Sequence, residues 1–187
     1  MAANESIRAM LSEGDGPIAV GRAKEVAARV LAQPRLFRVL IQCLWDDDRG
    51  VANRGAHAIE LVTRNGEPRA MTQLNAWKSS LLGLLPDAVQ NKLRWHLAVV
   101  VPRLTLSPHE CVRAAQVLES WLEDKSSSIV KTMALQGLSD LAVQAPSLLP
   151  TVRDLLRIHS RSGTAAMRAR SRILLAKAEK SSLRDLA

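Results

Sequence analysis

One stretch, Val130–Leu141, constrains the fold more than any other part of the sequence. Small or apolar residues recur in it three or four positions apart, a spacing that places them on one side of a helix. These residues are Val130, Met133, Ala134, Gly137, Leu138 and Leu141. The spacing therefore predicts an amphipathic helix with one continuous buried stripe.

The same skeleton recurs along the chain: an apolar residue, a usually small residue four positions later, and two further buried positions after it. Its copies begin at Ala23, Val51, Val89, Val130 and Met167, so that successive starts lie 28, 38, 41 and 37 residues apart. A period of about 40 residues, built from two helices, is typical of an α-solenoid. An ordinary helical bundle, in which the periodicity would be a coincidence, is the alternative.

The rest of the chain has the pattern of further helices separated by turn-forming residues, and no segment alternates as a strand does. The predicted helices cover residues 5–11, 19–33, 34–45, 51–62, 68–85, 89–100, 107–122, 130–141, 148–156 and 165–180. One aspartate of Asp46–Asp48 is expected to cap the helix that follows it. Ser107, Pro108 and Glu110 together form a typical helix start.

Composition agrees with closely packed helices. Hydrophobic residues make up 47% of the chain and charged residues 24%, which indicates a globular fold, while the aromatic share is only 3%. Leu, Ala and Val must therefore form the core, which suits helices better than a sheet of aromatic and β-branched residues. A chain of 187 residues predicts a single domain over 1–187. Residues 1–18 would form an N-terminal cap or loop, and residues 181–187 a C-terminal tail.

Paired helices, the repeat period and prolines at first-helix starts together resemble HEAT repeats over residues 19–180. The prolines are Pro34, Pro68 and Pro108. The resemblance implies an all-α fold, an α-α superhelix of about four helix pairs preceded by an N-terminal capping helix. The copy that begins at Val89 departs from the pattern, because Leu93 and His96 stand where small residues are usual.

HEAT-like superhelices turn their second helices toward a concave surface. The resemblance therefore implies that positions opposite the buried stripe contact a ligand, about two, five, six and nine residues after each copy begins. They are Asn53, Ala56, His57 and Glu60; Asn91, Arg94, Trp95 and Ala98; Thr132, Leu135, Gln136 and Ser139; and Ala169, Arg172, Ile173 and Ala176. The candidate binding residues, with basic neighbours included, are Arg54, His57, Lys92, Arg94, Trp95, Gln136, Arg168 and Arg172.

Trp95 is the most informative of these candidates, because it lies off the buried stripe and beside Lys92 and Arg94. A tryptophan beside cations in a groove can stack on a nucleobase or anchor a peptide. The alternative is that it packs between helices. That is the prediction for the other three tryptophans, which fall on apolar stripes: Trp45, Trp77 and Trp121.

Charge is concentrated near the C-terminus. The chain has a net charge of +8 and a pI of about 10.3, and the segment from Arg157 onward holds eight basic and two acidic residues. This segment would form a phosphate-contacting surface with salt-sensitive binding. The other interpretation is a solvated cap on the last repeat, whose outer face must be soluble.

Motifs for catalysis and metal binding are missing from the sequence. The four histidines lack the spacing of metal ligands, and no nucleotide-binding or nucleophile motif occurs. Cys43 and Cys111 lie in apolar segments, which favours burial as small hydrophobic residues in a reducing compartment. No metal or cofactor is therefore expected. The sequence also lacks a secretory signal and a long apolar span, so we expect a cytoplasmic protein without membrane association.

The sequence thus predicts a non-enzymatic scaffold that binds a protein or peptide on its concave surface. The alternative is a nucleic-acid-binding protein with a basic groove. Bacterial alkylpurine DNA glycosylases have HEAT-like repeats and a basic groove with Trp and an acidic residue, and the chain is similar to them in architecture alone. Trp95, Arg94 and Arg172 are compatible with such a groove, in which Glu60 or Asp140 would supply the acid.

Overall fold

The computed structural model describes residues 5–17, 19–123 and 127–184, and every regular element in those ranges is helical. Short 3-10 turns cover Pro34–Leu36, Cys43–Trp45, Val101–Arg103 and Pro146–Leu148. The α-helices are α1 (Ile7–Ser12), α2 (Ala23–Ala32), α3 (Phe37–Gln42), α4 (Arg49–Thr63), α5 (Pro68–Asn75), α6 (Lys78–Asp87), α7 (Asn91–Val100), α8 (Pro108–Glu123), α9 (Ser128–Gln144), α10 (Leu149–Ser162) and α11 (Ala165–Arg184).

The helices form two layers. In the second-helix layer, α2, α4, α7, α9 and α11 pack side by side in chain order. In the first-helix layer, α3 packs on α4, α8 on α9, and α10 on both α9 and α11, while α5 and α6 connect α3 to α8. Consecutive helix pairs stacked in this way form an all-α superhelix, which confirms the predicted fold class. The arrangement is compatible with a helical repeat.

Capping residues fix where several helices begin. Ser107 and Glu110 form a reciprocal capping box on α8: the Ser107 amide donates to Glu110 Oε2 (2.8 Å), and the Glu110 amide donates to Ser107 Oγ (3.3 Å). Asp48 caps α4, because its Oδ1 accepts hydrogen bonds from the amides of Gly50 (2.7 Å) and Val51 (3.3 Å). Both predicted helix starts are confirmed.

The first-helix layer is more broken than the sequence predicts. The helix predicted over residues 68–85 is two helices, α5 and α6, which meet at Ala76 and Trp77. Trp45 ends a 3-10 turn and is 44% exposed, so its predicted place on a buried stripe is wrong. A 3-10 turn advances by about 120° per residue rather than 100°, which rotates Trp45 away from the buried side that Leu44 occupies.

Two predicted helix boundaries also change. Val89, the expected start of the third copy, is 74% exposed and precedes α7, which begins at Asn91. The last helix extends past Lys180 to Arg184, into the predicted tail, and residues 185–187 lie outside the described ranges. These shifts concern helix ends, where sequence signals are weakest.

Gly137 sets the distance between α9 and α7. A Cβ atom at this position would collide with the carbonyl oxygen of Ala98 and would lie 2.8 Å from Leu118 Cδ1. Only glycine therefore permits this separation of the two helix backbones. Gly137 is a small residue of the repeat, and its size allows the two helices to approach closely here. Gly55 allows a similar but looser approach, with Cys43 Cβ 3.3 Å from an added Cβ.

Arg54 attaches the N-terminal segment to the second-helix layer. Its guanidinium donates to the backbone carbonyls of Leu11, Ser12 (3.3 Å) and Gly16 (3.0 Å). Asn53 adds a hydrogen bond from Nδ2 to the carbonyl of Pro17 (3.2 Å). Gly21, with a φ of 50°, must be glycine, because an added Cβ would also collide with the carbonyl oxygen of Glu13.

Candidate binding surface

Gln136 lies at the centre of the solvent-facing side of α9. Ile129 and Val143 lie seven residues to either side of it, so the three residues share one face of the helix. The neighbouring helix α11 meets this face at Arg170, whose Nη1 donates to Gln136 Oε1 (3.2 Å). We call the strip formed by these residues, together with Asp140 and Ile173, the second-layer surface.

Apolar side chains are unusually exposed on the second-layer surface. Ile129 is 58% exposed, Val143 75% and Ile173 61%. Ile173 follows Arg170 by three residues and so shares its face of α11. Single exposed apolar residues are ordinary on protein surfaces, but three of them on two adjacent helices make this strip a candidate binding surface.

A polar network runs between these apolar residues. The Gln136 side-chain amide donates from Nε2 to both carboxylate oxygens of Asp140, at 2.9 and 3.0 Å. Its Oε1 accepts from Arg170, so the amide links an acid on α9 to a base on α11. The network holds its side chains in fixed positions and presents both signs of charge, which is suited to orienting a partner.

Trp95 belongs partly to the surface and partly to the core. It is half-buried on the side of α7 away from Leu97, and its ring stacks on that of His96 with centroids 3.6 Å apart. One part of the indole therefore packs against the core while another faces solvent. Packing between helices is thus observed for part of the indole, and the ligand contact stays a prediction for the exposed part.

His96 and His57 fill the space between α7 and α4. His96 is fully buried, and its ring stacks on His57 with centroids 5.1 Å apart. Both nitrogens of His96 and Nδ1 of His57 have no hydrogen-bond partner among the described residues. Burial lowers the pKa of His96 to about 3, with a further contribution from His57, so His96 is neutral at physiological pH.

Arg54 is not part of this surface. It is only 2% exposed, and all its hydrogen bonds go to carbonyls of the N-terminal segment. The sequence analysis included it as a basic neighbour of the positions expected to face a ligand. In the structure, Arg54 instead binds the backbone of the N-terminal segment.

Arg94 and Lys92 also have contacts inside the protein. Arg94 donates from Nε to the Ala88 carbonyl (2.6 Å), and its guanidinium lies 5.5 Å from the ring centroid of Trp121 in the first-helix layer. Lys92 donates to the Ala19 carbonyl (3.3 Å), and burial lowers its pKa. Adjacent residues on a helix point about 100° apart, and Arg94, the cation next to Trp95 in sequence, is directed toward Trp121.

Arg168 and Arg172 are exposed on a different side of α11 from Arg170, about 200° around the helix. Arg168 donates to the carbonyl of Gly163 (2.6 Å), which lies between α10 and α11. Because Arg170 contacts α9, this side of α11 is turned away from α9. Of the candidates, His57, Trp95 and Gln136 remain on the solvent side of the second-helix layer.

Several positions predicted to face a ligand are buried: Asn53, Ala56, Glu60, Ala98, Thr132 and Leu135. A second helix inside the layer has a neighbour on each side as well as a first helix behind it, so only a narrow strip reaches solvent. Glu60 pairs with Arg64 (2.6 Å) and Arg103 (2.7 Å). Burial raises the pKa of Glu60, but these two arginines outweigh it and hold the pKa below its usual value.

Sequence reasoning missed Ile129, Val143 and Arg170 as surface residues. The seven-residue spacing of Ile129, Gln136 and Val143 is the signal that could have found them, because it marks one narrow face of α9. Arg170 was visible only as one of many C-terminal cations. Its pairing with Gln136 depends on the packing of α11 against α9.

No known protein family matches the chain, and no curated protein is significantly similar to it. Within the described ranges, no group of three or more histidine, cysteine, aspartate or glutamate residues is arranged to hold a metal ion. None of the helices described has the length and apolar character needed to cross a membrane. The geometry of the surface is therefore the basis for a functional proposal.

Proposed function

We propose that this protein is a non-enzymatic helical-repeat scaffold that binds a protein or peptide partner through the second-layer surface. The observation that carries the proposal is the row of exposed apolar side chains around a fixed polar network. Ile129, Val143 and Ile173 supply the apolar contacts, while Asp140, Gln136 and Arg170 supply the polar ones.

The chemistry of this surface favours a polypeptide partner. Covering exposed aliphatic side chains stabilises a complex by about 25 cal/mol per Å² of apolar area removed from water. Interfaces between proteins bring apolar contacts together with hydrogen bonds that fix orientation, and this surface offers both. A partner segment with aliphatic residues and hydrogen-bonding groups would match both parts of the surface.

Matched substitutions in the two layers test the proposal. Ile129→Asp with Ile173→Asp places charges on the second-layer surface, while Ile158→Asp is a control, since Ile158 in α10 is 56% exposed in the other layer. Proteins that the wild type captures would be identified by quantitative mass spectrometry, and their affinities measured by calorimetry. We expect binding to weaken at least about tenfold in the double variant and to persist in the control.

The proposal fails if every captured partner binds the double variant as tightly as the wild type. It fails equally if the control at Ile158 loses the same partners. Circular dichroism of all three proteins would establish that the exposed substitutions leave the helices intact.

Nucleic-acid binding remains the second candidate, because Arg168 and Arg172 are both exposed on the side of the last helix that is turned away from α9. Fluorescence titration with duplex DNA at about 50 and 200 mM salt would show a steep loss of affinity if phosphates are bound. Charge reversal at Arg168 and Arg172 should then abolish binding. Glycosylase activity would further require base release from alkylated DNA that disappears in Asp140→Asn. An absence of binding at low salt would eliminate this candidate.

A further inference from the structure

The second-layer surface is built on two helices, α9 and α11, that run side by side in the same direction. Ser128 Oγ lies 2.7 Å from Thr164 Oγ1 where both helices begin, and Arg170 meets Gln136 about two turns further along. Because each helix is about 10 Å across, a shallow groove remains between them. From Ile129 to Val143 the α9 side of this α9–α11 groove is about 21 Å long, or nearly four helical turns.

The α9 side of the groove is apolar at both ends and polar at its centre. Ile129, Met133, Gln136, Asp140 and Val143 follow one another at alternating spacings of four and three residues. All five therefore lie within about 40° of one line along the helix. An alternation of four and three is the spacing of the seam along which two helices pack in a coiled coil.

The α11 side of the groove is basic. Arg170 and Lys177 are seven residues apart, and the contact of Arg170 with α9 places both cations on the side of α11 that borders the groove. Ile173 lies between them on the same side and is 61% exposed. A molecule in the groove would thus meet aliphatic side chains on α9 and positive charge on α11.

An α-helix is the polypeptide conformation whose repeat matches this groove. The seven-residue interval on each side is about 10 Å, and a helix presents the same face again after two turns, about 11 Å. An extended strand alternates its faces every residue, so after about 10 Å it presents the opposite face. A helix can also fit its side chains between those of α9 and α11 at a small crossing angle of about 20°.

Charge favours an acidic partner over a second copy of this chain. The protein carries a net charge of +8, so two copies repel one another, whereas an acidic helix is attracted. Arg170 and Lys177 add the same preference locally, at the spacing of the charged positions that flank a coiled-coil seam.

We propose that the α9–α11 groove binds an amphipathic α-helix of a partner protein, and that this helix carries an acidic flank. The inference rests on the proposed function and specifies its partner. Apolar residues of the helix contact Ile129 and Val143, while the acidic flank faces Arg170 and Lys177. A polar residue at the middle of its apolar face contacts Gln136, and such a polar residue fixes the register between two helices.

A designed peptide of 21 residues serves as the probe. Leucine occupies the first and fourth positions of each heptad, one asparagine replaces the central leucine, and glutamates cover one flank. One control has the same composition with leucines at alternate positions, and a second has proline on the outer side of the central turn, which breaks the helix. Fluorescence anisotropy of labelled peptide at about 150 mM salt measures binding, and we expect the helical peptide to bind at least about tenfold more tightly than either control.

Charge reversal on α11 tests the acidic flank. Arg170→Glu with Lys177→Glu should weaken binding of the helical peptide at least about tenfold, and a version of the peptide with lysines on the flank should prefer this variant to the wild type. The matched control is Arg168→Glu with Arg172→Glu, which changes the net charge equally on another side of α11 and should weaken binding by less than about threefold. Circular dichroism of both variants would verify that the helices stay intact.

Three results would overturn the proposal: no binding of the helical peptide at about 100 μM protein, equal binding of the alternating control, or equal losses in the two charge-reversal variants. Dimerisation of the protein alone in sedimentation experiments, abolished by Ile129→Asp, would identify a second copy as the occupant and reject it as well.

Failure of this inference can be told apart from failure of the proposed function. If Ile129→Asp with Ile173→Asp loses the captured partners but the helical peptide does not bind the wild type, the surface stands and a helical occupant is rejected. If the double variant retains both the captured partners and the peptide, the surface itself is rejected.

Discussion

Two junctions within the second-helix layer are built in opposite ways. Between α7 and α9, Gly137 lies directly against the backbone at Ala98, so the helices are as close as their main chains allow. Between α4 and α7, the stacked rings of His57 and His96 separate the helices. One junction depends on the absence of a side chain, whereas the other depends on two large polar ones.

The comparison explains why one copy of the repeat departs from the pattern. His96 occupies a position at which Ala58 and Gly137 stand in neighbouring copies. Its ring prevents close approach, and the adjoining gap beside Ile59 and Val100 is too narrow to admit a water molecule. The histidine junction therefore buries polar atoms that have no hydrogen-bond partner among the described residues, which costs stability.

Disrupting the close junction between α7 and α9 should have the largest effect on stability. Gly137→Ala introduces a Cβ that must displace the Ala98 carbonyl or the Leu118 side chain, and we expect it to destabilise the protein by about 3 kcal/mol. Urea denaturation followed by circular dichroism measures this loss. Gly83→Ala is the matched control, since its position is open, and it should stabilise the helix by about 1 kcal/mol. A loss below about 1 kcal/mol for Gly137→Ala would contradict the described packing.

Acid should have the second-largest effect, because it weakens the junction between α4 and α7 that His57 and His96 form. The pKa of His96 is about 3 in the folded protein against 6.5 for a free histidine, so the unfolded chain binds more protons between these values. Stability should therefore be full above pH 6.5 and should fall as the pH decreases toward 3. At about pH 5 the expected loss from His96 is about 2 kcal/mol. Urea midpoints measured across this range would test the slope.

Replacing the buried histidine should have the smallest effect at neutral pH. In His96→Leu both unpaired nitrogens are removed and a similar volume is kept, so the free energy of unfolding should change by no more than about 1 kcal/mol. The variant should also lose most of the acid sensitivity of the wild type. If its stability falls with pH as steeply as that of the wild type, another group is responsible for the slope.

The helices and their order could be predicted because their signals are local. Apolar spacing, prolines and capping residues act over a few positions, and the capping box at Ser107 and Glu110 forms as the sequence indicates. The exposure of Trp45 could not be predicted from these local signals. Its exposure results from a single 3-10 turn, which shifts the phase of the buried stripe without changing the residues that define it.

The candidate surface was harder to predict, because exposure depends on neighbours that come from distant parts of the chain. Arg54 has the sequence context of a surface cation, yet the N-terminal segment covers it. Ile129 has the character of a core residue, yet no described helix covers it, and it is 58% exposed. The relation between Arg94 and Trp121 likewise arises from the packing of the first-helix layer.

The carbonyl ligands of Arg54 have a consequence for the cooperativity of the fold. The glycine-containing segment before Ala23 accepts three hydrogen bonds from the buried guanidinium of Arg54. Undocking the segment would break all three bonds at once, so the segment is expected to open in a single step. Local opening of that segment should therefore have a free energy close to that of the first helix pair as a whole. In hydrogen-exchange experiments the amides of this segment should therefore be protected about as strongly as those of α4, to which Arg54 attaches it.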